Sequence, residues 1–190
     1  MTRLGWFILA IIVLAGAGFL AMTSFGTASP SAPLRPVAVP HADAGTLVIP
    51  VVGVARGSIT DSWGDARGQG RGHHGTDIMA PARTPVLAVA DGAVEKLFKS
   101  RLGGITLYVR SADGRWRYYY AHLAGYAAGV REGLRVRAGQ PIGYVGDTGD
   151  AGPGNYHLHF GVTRTAPGQR WWEGEDINPY PLLATGRLPG

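Results

Sequence analysis

Two histidines one residue apart, His157 and His159, sit in the stretch GNYHLHFGV at residues 154–162. Tyr156, Phe160 and Val162 around them are strand formers. Along a strand, side chains two apart share a face, so His157 and His159 stand side by side while Leu158 points into a core. Paired imidazoles either bind a metal together, or one binds it while the other moves a proton. Two surface histidines without a role fit the same short pattern, so the rest of the donor set matters. Upstream, His73 and His74 open HHGTDIMAP, where Asp77 follows His73 at a spacing of four. Gly75 disfavours a helix there, and the segment reads as loop or strand. His and Asp from one segment, with His from a distant strand, would make a three-ligand zinc site. Such a site keeps a fourth position for water, the catalytic rather than the structural pattern. A further histidine, His122, ends a strand-like run in Tyr120-Ala121-His122-Leu123.

Composition narrows the chemistry. The 190 residues include no cysteine, which excludes disulfides and thiolate ligands. A metal site must then use His, Asp and Glu, a donor set suited to a hard or borderline ion such as zinc. The net charge of +5 comes from 18 basic against 13 acidic residues. The basic residues are scattered, which argues against nucleic acid as partner and suits a polyanionic substrate such as a cell wall. Thirty glycines fit a turn-rich β fold.

The elements that must position these residues follow in order. Residues 5–22 are apolar and uncharged; as a helix they span about 27 Å, close to a hydrocarbon core of about 30 Å. Arg3 precedes them and the next basic residue is Arg35, a bias that sends the remainder across the membrane. Residues 1–23 therefore read as a signal anchor, with a cleaved signal peptide as the alternative; Gly26-Thr27-Ala28 would serve as its cleavage site. Residues 24–45, rich in Pro, Ala and Ser, read as an extended linker. Residues 46–190 form the folded domain. LVIPVVGV reads as an edge strand bent at Pro50. TPVLAVA, AVEKLF and the runs on either side of Ala112-Asp113-Gly114 read as strands, the last two as a hairpin. Trp116, Tyr118 and Tyr120 alternate onto one face, packing across a sheet, with Arg117 and Tyr119 on the other. Gly146, Gly149, Gly152 and Gly154 are expected in turns at positive φ. The domain reads as mostly β, built of short antiparallel strands.

These motifs, in this order, resemble the lysostaphin/LytM-type zinc metallopeptidases. Pro50-Val51 with Gly53 and Ser62-Trp63-Gly64 resemble the family's opening. HHGTDIMAP with TPVLAVADGAV resembles its first metal motif, YYAHL its central histidine segment, VRAGQPIGYVGDTG with HLHF its closing motif, and Asn178-Pro179 its tail. The resemblance implies an antiparallel β-sandwich-like domain with an open groove, of the duplicated hybrid motif type; the apolar run places one N-terminal transmembrane helix before it. It implies one zinc held by His73, Asp77 and His159, with His122 and His157 as catalytic histidines and His74 in a variable position. It implies hydrolysis of peptide bonds in bacterial peptidoglycan by a metal-activated water, in the cell envelope, with room for a regulatory protein partner. Departures from the pattern are few. Ala82-Arg83 stands where a Gly is usual, Asn155-Tyr156 where Gly-Pro is usual, and Gly161 where Glu is usual. Three other readings compete: a catalytically silent relative that activates another wall hydrolase, a lipoyl-type carrier suggested by VRAGQPIGYVG, and a wall-binding module. A carrier needs a lysine at its hairpin tip, and Lys96 and Lys99 are both remote from that stretch.

Overall fold

The computed structural model describes residues 46–188. The expected anchor at 1–23 and linker at 24–45 lie outside the described residues. Among the described residues no helix is long and apolar enough to cross a membrane.

Among the described residues, nine strands follow one another as β1 Thr76–Met79, β2 Pro85–Leu87, β3 Gly92–Ser100, β4 Gly104–Ser111, β5 Trp116–Tyr126, β6 Arg135–Val136, β7 Pro141–Val145, β8 His157–Arg164 and β9 Glu175–Ile177; helix α1, Pro179–Thr185, follows them. Every pairing between them is antiparallel. The main run is β1-β8-β5-β4-β3-β6; β7 joins β2 to β5, and β9 lies on β8. The mostly-β, antiparallel expectation holds.

Alternation along β5 builds the core. Trp116, Tyr118 and Tyr120 are buried with Leu107 and Val109 of β4 and with Leu158, Phe160 and Val162 of β8. The Tyr120 hydroxyl oxygen accepts from the Val89 backbone N–H at 3.0 Å, so a phenol at the centre of the sheet leaves no unpaired acceptor. The hairpin read around Ala112-Asp113-Gly114 is β4–β5, with Gly114 at φ 73°.

Two local expectations change, and one helix appears for which the sequence reading gave no expectation. LVIPVVGV is not a strand: Thr46 and Val51 make single bridges, to Arg187 and Val86, and Pro50 has no N–H to extend a ladder. The tail INPYPLL contains α1, started by the Asn178 side chain accepting from the Tyr180 N–H at 2.9 Å and by Pro179 in the first turn, and ended by Gly186 at φ 73°. Gly149, Gly152 and Gly154 do have positive φ, but Gly146 does not. A Cβ at Gly146 would lie 2.4 Å from the Ala124 nitrogen, so close backbone approach, not a turn, demands the glycine.

Arg83 has φ 63°, in the left-handed region that costs a side-chain-bearing residue about 1–2 kcal/mol. It sits where the resemblance leads one to expect glycine. Arg83→Gly is therefore expected to stabilise the domain by up to about 1 kcal/mol, after allowing for glycine's greater unfolded-state freedom. Urea unfolding of the two proteins measures this.

Candidate metal centre

Strand register assembles the donors. β8 lies between β1 and β5, with Asp77 opposite His159 and Met79 opposite His157 on one side, and Ala121 opposite His159 on the other. Residues opposed in an antiparallel pair share a face. Asp77, His159 and His157 therefore emerge together, while Ile78 and Leu158 go to the core. Small neighbours make room for the His159 ring. Ala121 flanks it, and a Cβ at Gly75 would lie 2.5 Å from its Cε1.

His73 comes from the loop before β1 and is buried. Its Nδ1–H donates to the Ser62 carbonyl at 2.6 Å, which leaves Nε2 facing the cluster. That Nε2 lies 2.8 Å from His159 Nδ1 and 3.1 Å from Asp77 Oδ1. His159 Nδ1 is likewise 3.1 Å from Asp77 Oδ1. The three atoms form a near-equilateral set. Burial raises the Asp77 pKa, but the bonds to His159 and His73 outweigh it and hold the carboxyl well below the usual carboxylate range. Burial lowers the pKa of His159, opposed by Asp77.

His122 arrives by a different route. Continuing the β5–β8 register would put it opposite Leu158, on the core face with Tyr118 and Tyr120. Between Ile105 and Leu107 of β4, however, the facing β5 residues run from Leu123 to Tyr120, one residue more on β5. This bulge is His122 itself, at φ 58°. There β5 exchanges partners, from β8 up to Ala121 to β7 from Leu123. The flip carries the imidazole to the site face, 4.8 Å from the His157 ring and 5.9 Å from the His159 ring, centroid to centroid. The loop carrying Thr148 docks on the bulge. Its carbonyl accepts from His122 Nδ1 at 2.8 Å, and its hydroxyl donates to the Leu123 carbonyl at 2.8 Å. Burial lowers the His122 pKa, the Thr148 carbonyl opposing it, so the neutral imidazole is favoured. His157 is oriented in the same way: Nδ1–H donates to the Asn155 carbonyl at 2.9 Å, and Nε2 lies 3.8 Å from Asp77 Oδ1.

All five expected residues thus meet in one place, and His74 stays apart, exposed, stacked on Trp63 at 5.3 Å and 3.3 Å from Asp176. A groove of about 910 Å³ crosses the cluster, lined by Arg67, Tyr108, Arg117, Tyr119, Trp171 and Trp172 among others. Sequence reading assigned no part to Arg67, whose guanidinium binds Asp77 Oδ2, nor to the carbonyls of Ser62, Thr148 and Asn155. Backbone acceptors leave no residue-type signal. Of the β5 rings, Tyr119 reaches the groove, its ring 5.7 Å from that of His159; Trp116, Tyr118 and Tyr120 do not.

The bulge gives a stability test. Glycine normally weakens a strand relative to alanine, but at φ 58° the order should invert. His122→Gly is expected to be more stable than His122→Ala by about 1 kcal/mol, measured by chemical denaturation.

Comparison with known proteins agrees with this geometry. The model for Peptidase family M23 matches residues 71–179. An L-Ala–D-Glu endopeptidase of Bacillus subtilis is 37% identical over 150 residues, covering 75% of this chain and 44% of the relative. The peptidoglycan DD-endopeptidase ShyC of Vibrio cholerae is 40% identical over 94 residues, 49% of this chain and 20% of the relative. This chain thus spans less than half the length of either curated relative. The catalytic domain of lysostaphin from Staphylococcus simulans superposes with a TM-score of 0.57 at 30% identity, covering 66% of this chain and 91% of that domain. With the family model matching more than half of its residues, the chain belongs to peptidase family M23.

Proposed function

We propose that residues 46–190 form a zinc-dependent endopeptidase that hydrolyses peptide bonds of bacterial peptidoglycan. The observation that carries this reading is the convergence of ligand atoms from His73, Asp77 and His159 within 4.8 Å of one another. The relatives named for cutting wall peptides support the substrate class. The donor set fits zinc. Ligands about 2.05 Å from a tetrahedral ion stand about 3.3 Å apart, and the separations here are 2.8–3.1 Å, so a few tenths of an ångström of opening suffices. Two neutral imidazoles and one carboxylate also leave the ion a net positive charge.

In this reading His73, Asp77 and His159 hold the zinc, which supplies Lewis-acid polarisation of a carbonyl and acidification of water. His122 and His157 handle protons. Each has Nδ1–H committed to a backbone carbonyl, so Nε2 is the atom free to accept. One of them takes a proton from the attacking water as its oxygen bonds to the peptide carbon. The C–N bond then breaks, and the resulting imidazolium returns the proton to the leaving amine. The other imidazole, in the form that has taken a proton from solvent at Nε2 before the peptide binds, would donate a hydrogen bond to the developing oxyanion and keep that proton. Tyr119 and the wall formed by Trp171 and Trp172 confine the peptide.

The same reading extends to the whole chain. Residues 1–23 anchor it in the membrane, residues 24–45 hold the domain off the surface, and the groove, within a sandwich-like domain, faces the wall on the extracytoplasmic side. The relatives are named for different bonds, so the bond cut here is a matter for digestion. A silent wall-binding activator is not favoured, since none of the five site residues is missing.

Incubating purified peptidoglycan with the domain and weighing the released muropeptides tests activity and bond together; new peptide termini are expected. Chelation should abolish release and added zinc restore it. His159→Ala should lose both bound zinc and activity, and retention of both would sink the reading. His122→Ala should keep zinc while turnover falls about 10²–10⁴-fold. Gly75→Ala, whose methyl would strike the His159 ring, should fold yet bind zinc poorly, as read by circular dichroism and metal analysis.

A further inference from the structure

Asp77 has two carboxylate oxygens, and only one of them looks at the histidines. Oδ1 faces His73 Nε2 and His159 Nδ1, each at 3.1 Å. Oδ2 is taken by the Arg67 guanidinium at 2.5 Å. Arg67 reaches it from a small hairpin between Ser62 and His73. Ala66 bridges Gly72, and the Arg67 N–H donates to the Arg71 carbonyl at 2.9 Å. This hairpin is tied to the donor residue at its base. The Gly64 N–H donates to the His73 carbonyl at 2.8 Å, and the His73 N–H to the Asp65 carbonyl at 2.9 Å. Arg71, at the same end of the groove, lies 3.6 Å from Asp150 on the loop before β8. Arg67 is thus built on a frame hydrogen-bonded to the backbone of His73, and its partner is a carboxylate at the heart of the cluster.

Resting on the zinc reading above, we propose that Arg67 is a positioning residue that clamps the outer oxygen of Asp77, so that this carboxylate offers the ion one oxygen and not two. Two consequences follow from charge and geometry. A carboxylate free at both oxygens can take an ion bidentately and so use up a position needed by water or substrate. A guanidinium in a charge-assisted bond to Oδ2 removes that option. Its positive charge also offsets the negative charge that Asp77 donates, so the ion stays a stronger Lewis acid at some cost in affinity. The half-exposed ion pair would by itself be worth little to stability; its effect falls on the metal.

The test uses cobalt as a spectroscopic stand-in for zinc, with the domain as it folds and no substrate present. Visible absorption of cobalt is stronger in four-coordinate sites than in five-coordinate ones. Arg67→Ala is expected to weaken that absorption and to bind the ion about three- to tenfold more tightly, through the added oxygen and the lost repulsion. Arg67→Lys, which can occupy Oδ2 with a point charge, should return both towards wild type. Arg71→Ala, which pairs with Asp150 and not with Asp77, should leave the cobalt spectrum unchanged. If Arg67→Ala has the wild-type spectrum and affinity, or binds the ion more weakly, the clamp is overturned. If a separate peptidoglycan digestion showed turnover falling in Arg67→Ala while the cobalt spectrum stayed unchanged, Arg67 would be a substrate contact and the clamp would again be overturned. A wild-type domain that takes up no ion sinks the zinc reading and the clamp together, whereas an altered wild-type to variant comparison concerns the clamp alone.

Discussion

The position of β8 between β1 and β5 is the constraint on which the site depends. One register places Asp77 opposite His159 and another places Ala121 there. Because side chains alternate with period two, a one-residue slip between β1 and β8 would send the carboxylate to the core, and one between β8 and β5 would bring a core residue of β5 to the groove. Ile78, Leu158, Phe160 and Tyr120, all buried, resist that slip. The apolar face of the sheet therefore enforces the polar face, and the donor geometry is a consequence of core packing.

His122 is the deliberate exception. A regular strand would have buried it beside Tyr120. The bulge spends backbone strain, about 1–2 kcal/mol for a left-handed non-glycine residue, to turn one imidazole out of the core. It also ends the β5–β8 pairing and begins β5–β7, so a single residue both brings the side chain into the site and lets the sheet change direction. The loop holding Thr148 makes this affordable. Gly104 and Gly149 allow it to approach within distances no Cβ would tolerate, and its polar groups meet the carbonyls and amides that the bulge leaves unpaired.

Around the cluster, orientation is achieved mainly by backbone carbonyls. Ser62, Thr148 and Asn155 each accept from the Nδ1 of a different histidine, setting which nitrogen faces inward. Asp77 is held from both sides, by the imidazoles of His73 and His159 at Oδ1 and by the Arg67 guanidinium at Oδ2. The bonds to His159 and His73 keep the carboxylate ionised in spite of its burial.

The candidate residues were legible in the chain because their types and local spacing carry a signal, while the choice of which would hold a metal and which would move protons came from the resemblance to the lysostaphin/LytM-type family. His-x-His on a strand, His and Asp four apart, and the hairpin that ends near His122 are all patterns of neighbours, and period-two alternation assigned Trp116, Tyr118 and Tyr120 to the core correctly. Helix α1 was hidden by its two prolines, although Asn178 before Pro179 is a helix start. What tertiary structure alone decided was everything that depends on which segments lie beside which. The bulge at His122 exists only because β4, β7 and β8 compete for β5. The glycine at 146 answers to the backbone of Ala124. Arg67 meets Asp77 only because its hairpin folds back onto His73. Alternation and donor type are properties of a few neighbouring residues, and sequence carries them; contact between distant segments is settled by packing of the whole chain.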